Sequence, residues 1–288
     1  MLIDLHMHST ASDGALTPSE LVRCCFERCG VGTMALTDHD TVAGVGEARR
    51  AARLCGMRFI SGIEVSTIWA ERSVHIVGLG VDDSNAELLE VTADLCDKRD
   101  RRAVEIGRRL DALGFENMFE KALAHTHVKS NISRLHFARA LLDEGAVRSI
   151  QQAFDRYLTQ GKPAYVAAAW PSIAEAVALI HRAGGVAVLA HPGRYRFSGG
   201  DWQLDALVEG FVESGGEAIE VVSGSQSPSF VPRCIAWARR YHLFGSVGSD
   251  FHSPGGERPA PGEQGQLPGT TMQRGTKDGL WCSSFWPD

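Results

Sequence analysis

The residues of this chain that could do chemistry are histidines and carboxylates recurring in short clusters. Asp4-Leu5-His6-Met7-His8 comes first. On a strand alternate side chains face one way, so His6 and His8 can grip one ion together. Asp13 follows in the next loop. Thr37-Asp38-His39-Asp40, Gly62-Ile63-Glu64, a stretch beginning at His75, Ala190-His191-Pro192-Gly193-Arg194 and Ser249-Asp250-Phe251-His252 complete the series. His6, His8, Asp13, His39, Glu64, His75, His191, Asp250 and His252 are therefore the candidate metal ligands. Burying so many titratable side chains is costly unless cations compensate them. Imidazole and carboxylate without thiolate suit manganese, iron or zinc, and the set exceeds what one ion needs, so two to three divalent ions are implied. Such clusters serve phosphoester hydrolysis: they lower the pKa of a bridging water to supply hydroxide, hold phosphate oxygens and neutralise developing charge.

Those clusters need elements to position them. Apolar runs at Leu2 to Leu5, Met34 to Leu36, Phe59 to Ile60, Val74 to Leu79, Val186 to Leu189, Ala218 to Val222 and Leu243 to Val247 read as strands. Amphipathic stretches separate most of them. Pro18 behind Thr17 starts a helix to about Cys29, Thr41 caps another to about Leu54, and Ser172 opens a third that stops at Gly184-Gly185. This alternation predicts a mostly parallel α/β sheet or barrel over residues 1–86 and 162–252, with function gathered at the carboxyl ends of the strands. Between them, residues 87–161 lose the strand signal and read as a helical insertion or cap. Residues 253–288 form a Gly/Pro-rich tail holding 7 Gly and 5 of the 11 Pro, without periodicity, and are expected to be poorly ordered.

Composition narrows the class further. With 288 residues, 44% hydrophobic and 22% charged, the chain has ample material for a core. A net charge of −6 argues against a surface built to bind polyanions, although a local basic pocket is compatible with it. No apolar run is long enough to span a membrane and the N-terminus lacks a basic, apolar leader, so a cytoplasmic location is expected. The 7 cysteines lack paired CxxC spacing and are expected to be reduced core residues.

In order along the chain, DLHMHS, TDHD, GIEVS, the strand beginning at His75, AHPGR and GSDFH resemble the successive motifs of the PHP (polymerase and histidinol phosphatase) superfamily. The resemblance spans residues 2 to 252. It implies a distorted seven-stranded βα barrel with a trinuclear metal centre, most commonly manganese. By that resemblance His6 and His8 hold one ion with Asp250, and Glu64 bridges it to a second, which His75 and His191 complete. Asp13, His39 and His252 hold the third. The insertion segment Ile132-Ser133-Arg134-Leu135-His136-Phe137-Ala138, with GKPAYV and SGS, is similar to the branch of nucleoside 3′,5′-bisphosphate phosphatases, whose relatives include 5′-to-3′ exoribonucleases of the RNase AM type. Arg134 and Arg194 are candidate phosphate clamps, because a guanidinium binds two phosphate oxygens at once, and His136 is a further candidate for substrate contact.

The expected activity is removal of the 3′-phosphate from a nucleoside 3′,5′-bisphosphate, with 5′-to-3′ removal of mononucleotides from short 5′-phosphorylated RNA as the alternative. A histidinol-phosphatase-like enzyme and a non-catalytic metal-binding accessory module rank below these. The partners expected are a small nucleotide or short RNA substrate, with no membrane and no stable nucleic-acid complex; the sequence leaves the oligomeric state open. The tail departs from the resemblance immediately after Ser253-Pro254-Gly255. That abrupt change in composition suggests a shifted reading frame near Gly256, with Trp281, Phe285 and Trp286 left unshielded.

Overall fold

A computed structural model describes residues 2–126, 132–197, 200–256 and 258–267. Seven strands run in chain order around one sheet: β1 (Leu2–Asp4), β2 (Val31–Leu36), β3 (Arg58–Trp69), β4 (Arg72–Leu79), β5 (Val186–Leu189), β6 (Ala218–Ser223) and β7 (Phe244–Gly248). Strands β1 to β3 are parallel to one another, as are β5 to β7, while β4 runs antiparallel to both neighbours. Hydrogen bonds Leu5 N–H to Val247 O (3.0 Å) and His8 N–H to Phe251 O (3.0 Å) bring the first strand against the last, nearly closing the barrel. Along β5, Val186 and Val188 pack with Leu5, Ala35, Ile60, Val77 and Leu79 inside the barrel, whereas Ala187 and Leu189 face the helices. That two-sided burial is why the strand reads as one continuous apolar run.

The reversal of β4 modifies the mostly parallel expectation, and it comes from a tight hairpin. Ala70 and Glu71 both adopt positive φ (45° and 60°), the conformation of a two-residue turn whose twist suits paired strands. No Asn-Gly or Asp-Gly advertises it, and the apolar run Phe59 to Ile60 marks only the start of a strand that continues to Trp69.

Helix α1 (Pro18–Arg23) and the π-turn Cys24–Arg28 follow β1; α2 (Val45–Cys55) follows β2. Helix α2 starts after Gly44, later than the expected cap at Thr41, because Asp40 N–H and Glu64 N–H are engaged with Glu64 O and Asp38 O in a bridge alongside β3. Between β4 and β5 lie α3 (Ala86–Asp111), α4 (Met118–Leu123), α5 (Arg134–Asp143), α6 (Ile150–Ala153) and α7 (Ile173–Arg182), the last capped reciprocally by Ser172 and Glu175. The first half of α3 buries Leu88 and Leu95 against the barrel helices. Its second half buries Ala103, Ile106 and Leu110 in a separate core with Met118, Phe137 and Leu141. Helices α8 (Asp201–Glu213) and α9 (Val231–Arg240) complete the outer layer. No helix of the described residues is long and apolar enough to cross a membrane.

Part of the tail, residues 258–267, lies among the described residues. Gly262 N–H donates to Asp4 Oδ2 (2.9 Å), Gln264 Nε2 donates to Ile3 O (3.0 Å), and Leu267 packs beside Gly245, so these residues have barrel backbone and side chains to bond. Trp281, Phe285 and Trp286 lie outside the described residues.

Candidate metal centre

Glu64 stands at the middle of the strand-end cluster. Its Oε2 is 3.3 Å from His6 Nε2, 3.3 Å from His8 Nε2 and 2.9 Å from His39 Nδ1. Its Oε1 is 2.8 Å from His75 Nδ1 and 3.0 Å from His191 Nε2. Asp250 Oδ1 faces His8 Nε2 at 3.2 Å and His6 Nε2 at 3.6 Å, and Asp13 Oδ1 faces His252 Nε2 at 3.4 Å and His39 Nε2 at 4.0 Å. The structure thus brings all nine candidate residues into one continuous cluster.

Local structure explains the convergence. His6 and His8 lie on the extended continuation of β1, on the same face. His39 follows β2 and is paired with Glu64 of β3 by a parallel bridge. His75 is not at a carboxyl strand end; because β4 is reversed, the amino-terminal part of that strand reaches the end of the barrel where the other strands finish. His191 and Asp250 both hold left-handed backbone (φ 32° and 54°), a conformation costly for side-chain-bearing residues and typical of sites that the surroundings over-determine.

Around these groups runs a shell that the sequence reading missed. Glu220, buried in the middle of β6, accepts from the His191 N–H (2.6 Å) and lies 2.6 Å from His6 Nδ1, which turns His6 Nε2 toward Glu64. Gly248 makes this possible: a Cβ there would fall 2.2 Å from His6 Cβ and 3.0 Å from Glu220 Oε1. Asp38 accepts from the Ser9 N–H, Ser9 Oγ and Ser12 Oγ, fixing the loop that carries Asp13. Tyr195 Oη accepts the His75 N–H at 2.8 Å. An acidic residue inside an otherwise apolar strand, as in Ala218-Ile219-Glu220-Val221-Val222, was the available signal for Glu220.

The electrostatics fit cations. Burial works against the charged forms of Glu64, Asp13 and Asp250, yet neighbouring imidazoles hold all three well below the usual carboxylate range. Burial lowers His8 to about 3 and His75 to about 4, leaving neutral nitrogens able to bind a metal at pH 7. His8 Nδ1 and His191 Nδ1 are buried without a hydrogen-bond partner, while His6 Nε2, His8 Nε2, Asp13 Oδ1, Glu64 Oε2 and Asp250 Oδ2 are buried with ion-pair contacts poorly aligned for hydrogen bonding. Polar atoms left so are rare in folded proteins, and three groupings of these residues place ligand atoms within 4.8 Å of one another: His6, His8, Glu64 and Asp250; His8, Asp13, His39 and His252; and His39, Glu64 and His75. The residues present therefore fit divalent ions held by nitrogen and oxygen.

Asp13, His39, His75 and His252 of the cluster open onto a cavity of about 850 Å³ whose walls carry Arg99, Arg102, Arg134, Arg139, Arg194, Arg196 and Arg258. Arg134 and Arg194 both line this cavity. Burial and neighbouring guanidiniums lower Arg134 to about 10, and its Nη1 donates to Leu158 O. His136 is withdrawn from the cavity. It is buried beneath the cap, with Nδ1 accepting the Ser133 N–H (3.0 Å) at the start of α5.

A barrel of this topology with its histidine and carboxylate cluster defines a metal-dependent phosphoesterase. The PHP domain family matches residues 4–159, and the chain belongs to that family. It is 44% identical over 253 residues to the 3′,5′-nucleoside bisphosphate phosphatase of Chromobacterium violaceum, covering 88% of each chain. It is likewise 44% identical over 255 residues to the 5′-3′ exoribonuclease of Haemophilus influenzae, covering 88% of this chain and 90% of the relative. Among solved structures, an amidohydrolase of C. violaceum superposes with a TM-score of 0.87 at 42% identity and 93% coverage of both chains. A candidate metal-dependent phosphoesterase of Bifidobacterium adolescentis superposes with a TM-score of 0.81 at 29% identity, covering 95% of this chain and 94% of the other.

Proposed function

We propose that this chain hydrolyses the 3′-phosphate of nucleoside 3′,5′-bisphosphates, leaving nucleoside 5′-monophosphates. The observation that carries the reading is the composition of the cavity: three imidazoles and the Asp13 carboxylate of the metal cluster face walls of arginine, a lining suited to a small substrate with two phosphates. The similarity to a bisphosphate phosphatase over most of both chains supports it. His6, His8, Asp13, His39, Glu64, His75, His191, Asp250 and His252 would hold two to three divalent ions, manganese first among them, with Glu64 shared between sites. When bound, such ions supply Lewis acidity that makes hydroxide available at neutral pH and neutralises charge on the transferred phosphoryl group. The chain's own contribution is to orient and confine. Glu220 fixes the His6 ring, Asp38 fixes the loop of Asp13, and Arg134 and Arg194 bind phosphate oxygens at the wall. The same proposal places the enzyme in the cytoplasm.

A second reading, 5′-to-3′ removal of mononucleotides from short RNA, is favoured by one feature. A further cavity of about 200 Å³ shares His75, Arg102, Arg134, Arg194 and Arg196 with the first and extends past Arg72 and Tyr165, giving room beyond a single nucleotide. The relative named as an exoribonuclease points the same way. The deciding experiment loads the protein with manganese and follows phosphate release from adenosine 3′,5′-bisphosphate and mononucleotide release from a 5′-phosphorylated RNA oligomer, with Asp250→Ala as control. Phosphate release that the control lacks is the expected result. Mononucleotides from RNA with the bisphosphate left intact would replace the first reading with the second.

A further inference from the structure

Arg258 belongs to none of the motifs, yet the structure carries it to the mouth of the cavity on a fastened segment. Gly262 N–H donates to Asp4 Oδ2 at 2.9 Å, and Asp4 Oδ1 accepts the Ser249 N–H at 2.9 Å. One buried carboxylate therefore ties this segment to the residue preceding Asp250. Gln264 adds its bond to Ile3 O, and Pro259 packs so closely that a Cβ on Gly224 would fall 2.7 Å from it. Held in this way, Arg258 Nε stands 3.3 Å from Asp250 Oδ2, with its side chain a quarter exposed to the cavity. Arg194 Nη1 approaches the same oxygen to 3.8 Å. Asp250 is thus divided: Oδ1 faces His6 and His8, and Oδ2 faces two guanidiniums.

We infer that Arg258 and Arg194 together clamp the oxygens of the phosphoryl group undergoing hydrolysis, Arg258 being a substrate-binding residue supplied by the Gly/Pro-rich segment. A guanidinium presents a planar fork of donors that matches phosphate oxygens, and two of them at one position suit the charge of a phosphate monoester. Cations at the histidine cluster would draw on the charge of Asp250, loosening its hold on both arginines and leaving phosphate as their better partner. The inference rests on the phosphoesterase reading of this cavity.

The test compares wild type with Arg258→Met and Arg258→Lys, all loaded with manganese. Inorganic phosphate is titrated calorimetrically, bound manganese is counted, and KM and kcat are measured on adenosine 3′,5′-bisphosphate. The expected result is that Arg258→Met weakens phosphate binding about 10- to 100-fold and raises KM similarly, the loss of a charge-assisted hydrogen bond, while manganese content stays at the wild-type level. Arg258→Lys should recover part of that affinity. Unchanged phosphate affinity in Arg258→Met overturns the inference, as does a loss of affinity that merely follows a loss of manganese, since Arg258 would then be a counter-ion of Asp250. The titration needs no turnover, so if the bisphosphate is left intact by wild type, that substrate fails while the clamp is still decided.

Discussion

Glu220 governs which nitrogen His6 turns toward the centre, by holding Nδ1 at 2.6 Å and leaving Nε2 facing Glu64. Outer carboxylates of this kind fix the tautomer and orientation of an imidazole ligand, and their loss typically costs 10- to 100-fold in metal affinity. Glu220→Gln keeps the shape but gives up the second charged acceptor, so manganese affinity should fall by roughly that factor with the far-ultraviolet circular dichroism unchanged. Affinity equal to wild type in a metal titration would show that His6 needs no such partner. The nine predicted residues differ from Glu220 in position. Those lie at or beyond the ends of apolar runs, where a polar side chain is conspicuous, and the structure brings them together. Glu220 sits in the middle of a strand, where alternation alone would assign it to solvent, and its partner His6 is 214 residues away. His136 is engaged locally: at three residues past Ser133 it completes a capping box, which competes with any outward role.

At the scale of elements, the apolar runs located all seven strands, most clearly β5 and β6, which are buried on both faces and so lack polar alternation. Direction was not legible. Nothing in Trp69-Ala70-Glu71-Arg72 signals a hairpin, and reversing β4 is what brings His75 to the functional end. The insertion was legible as helix, but its attachment was not. Helix α3 spans both cores, and Arg99 on it reaches into the barrel: Nε bonds Asp40 Oδ2 (2.5 Å), Nη2 bonds Ser66 Oγ (2.7 Å), and the guanidinium lies 5.1 Å from the Trp170 ring centre. Asp40 adjoins His39 and also accepts the Ser66 N–H, so this single pair fastens the cap to the strand that carries Glu64. Removing one member strands a buried charge. Arg99→Met is expected to lower stability by about 3–5 kcal/mol in denaturant unfolding, and the double variant with Asp40→Asn by less than the sum of the two single changes. A loss below about 1 kcal/mol would mean that solvent or other groups reach Asp40 readily.

Across the whole molecule, charge is distributed unevenly. The net value is −6, yet the cavity walls are cationic and the cluster beneath combines imidazoles with buried carboxylates. In the protein stripped of metal, that cluster must balance itself with protons. Burial disfavours the charged form of His6, but Glu220 and Glu64 raise it well above 6.5; His252 is also raised, by Asp13 and Asp250 against the same cost of burial. Groups whose folded values lie above their unfolded values stabilise fully below about pH 6.5, and that contribution is lost as pH rises through the folded values, by at most about 1.4 kcal/mol per pH unit for each group. His8 and His75, lowered to about 3 and 4, act in the opposite sense only as pH falls below 6.5. Above pH 7 the stripped protein should therefore weaken with rising pH. Metal binding strengthens over the same range, because it no longer competes with those protons. Manganese at about 100 times its dissociation constant adds about 2.7 kcal/mol per site, so the difference in unfolding temperature between loaded and chelator-treated protein should widen from pH 6.5 to pH 8.5. A gap that stays constant or narrows across that interval, measured by scanning calorimetry, would show that protons and metal do not share the cluster.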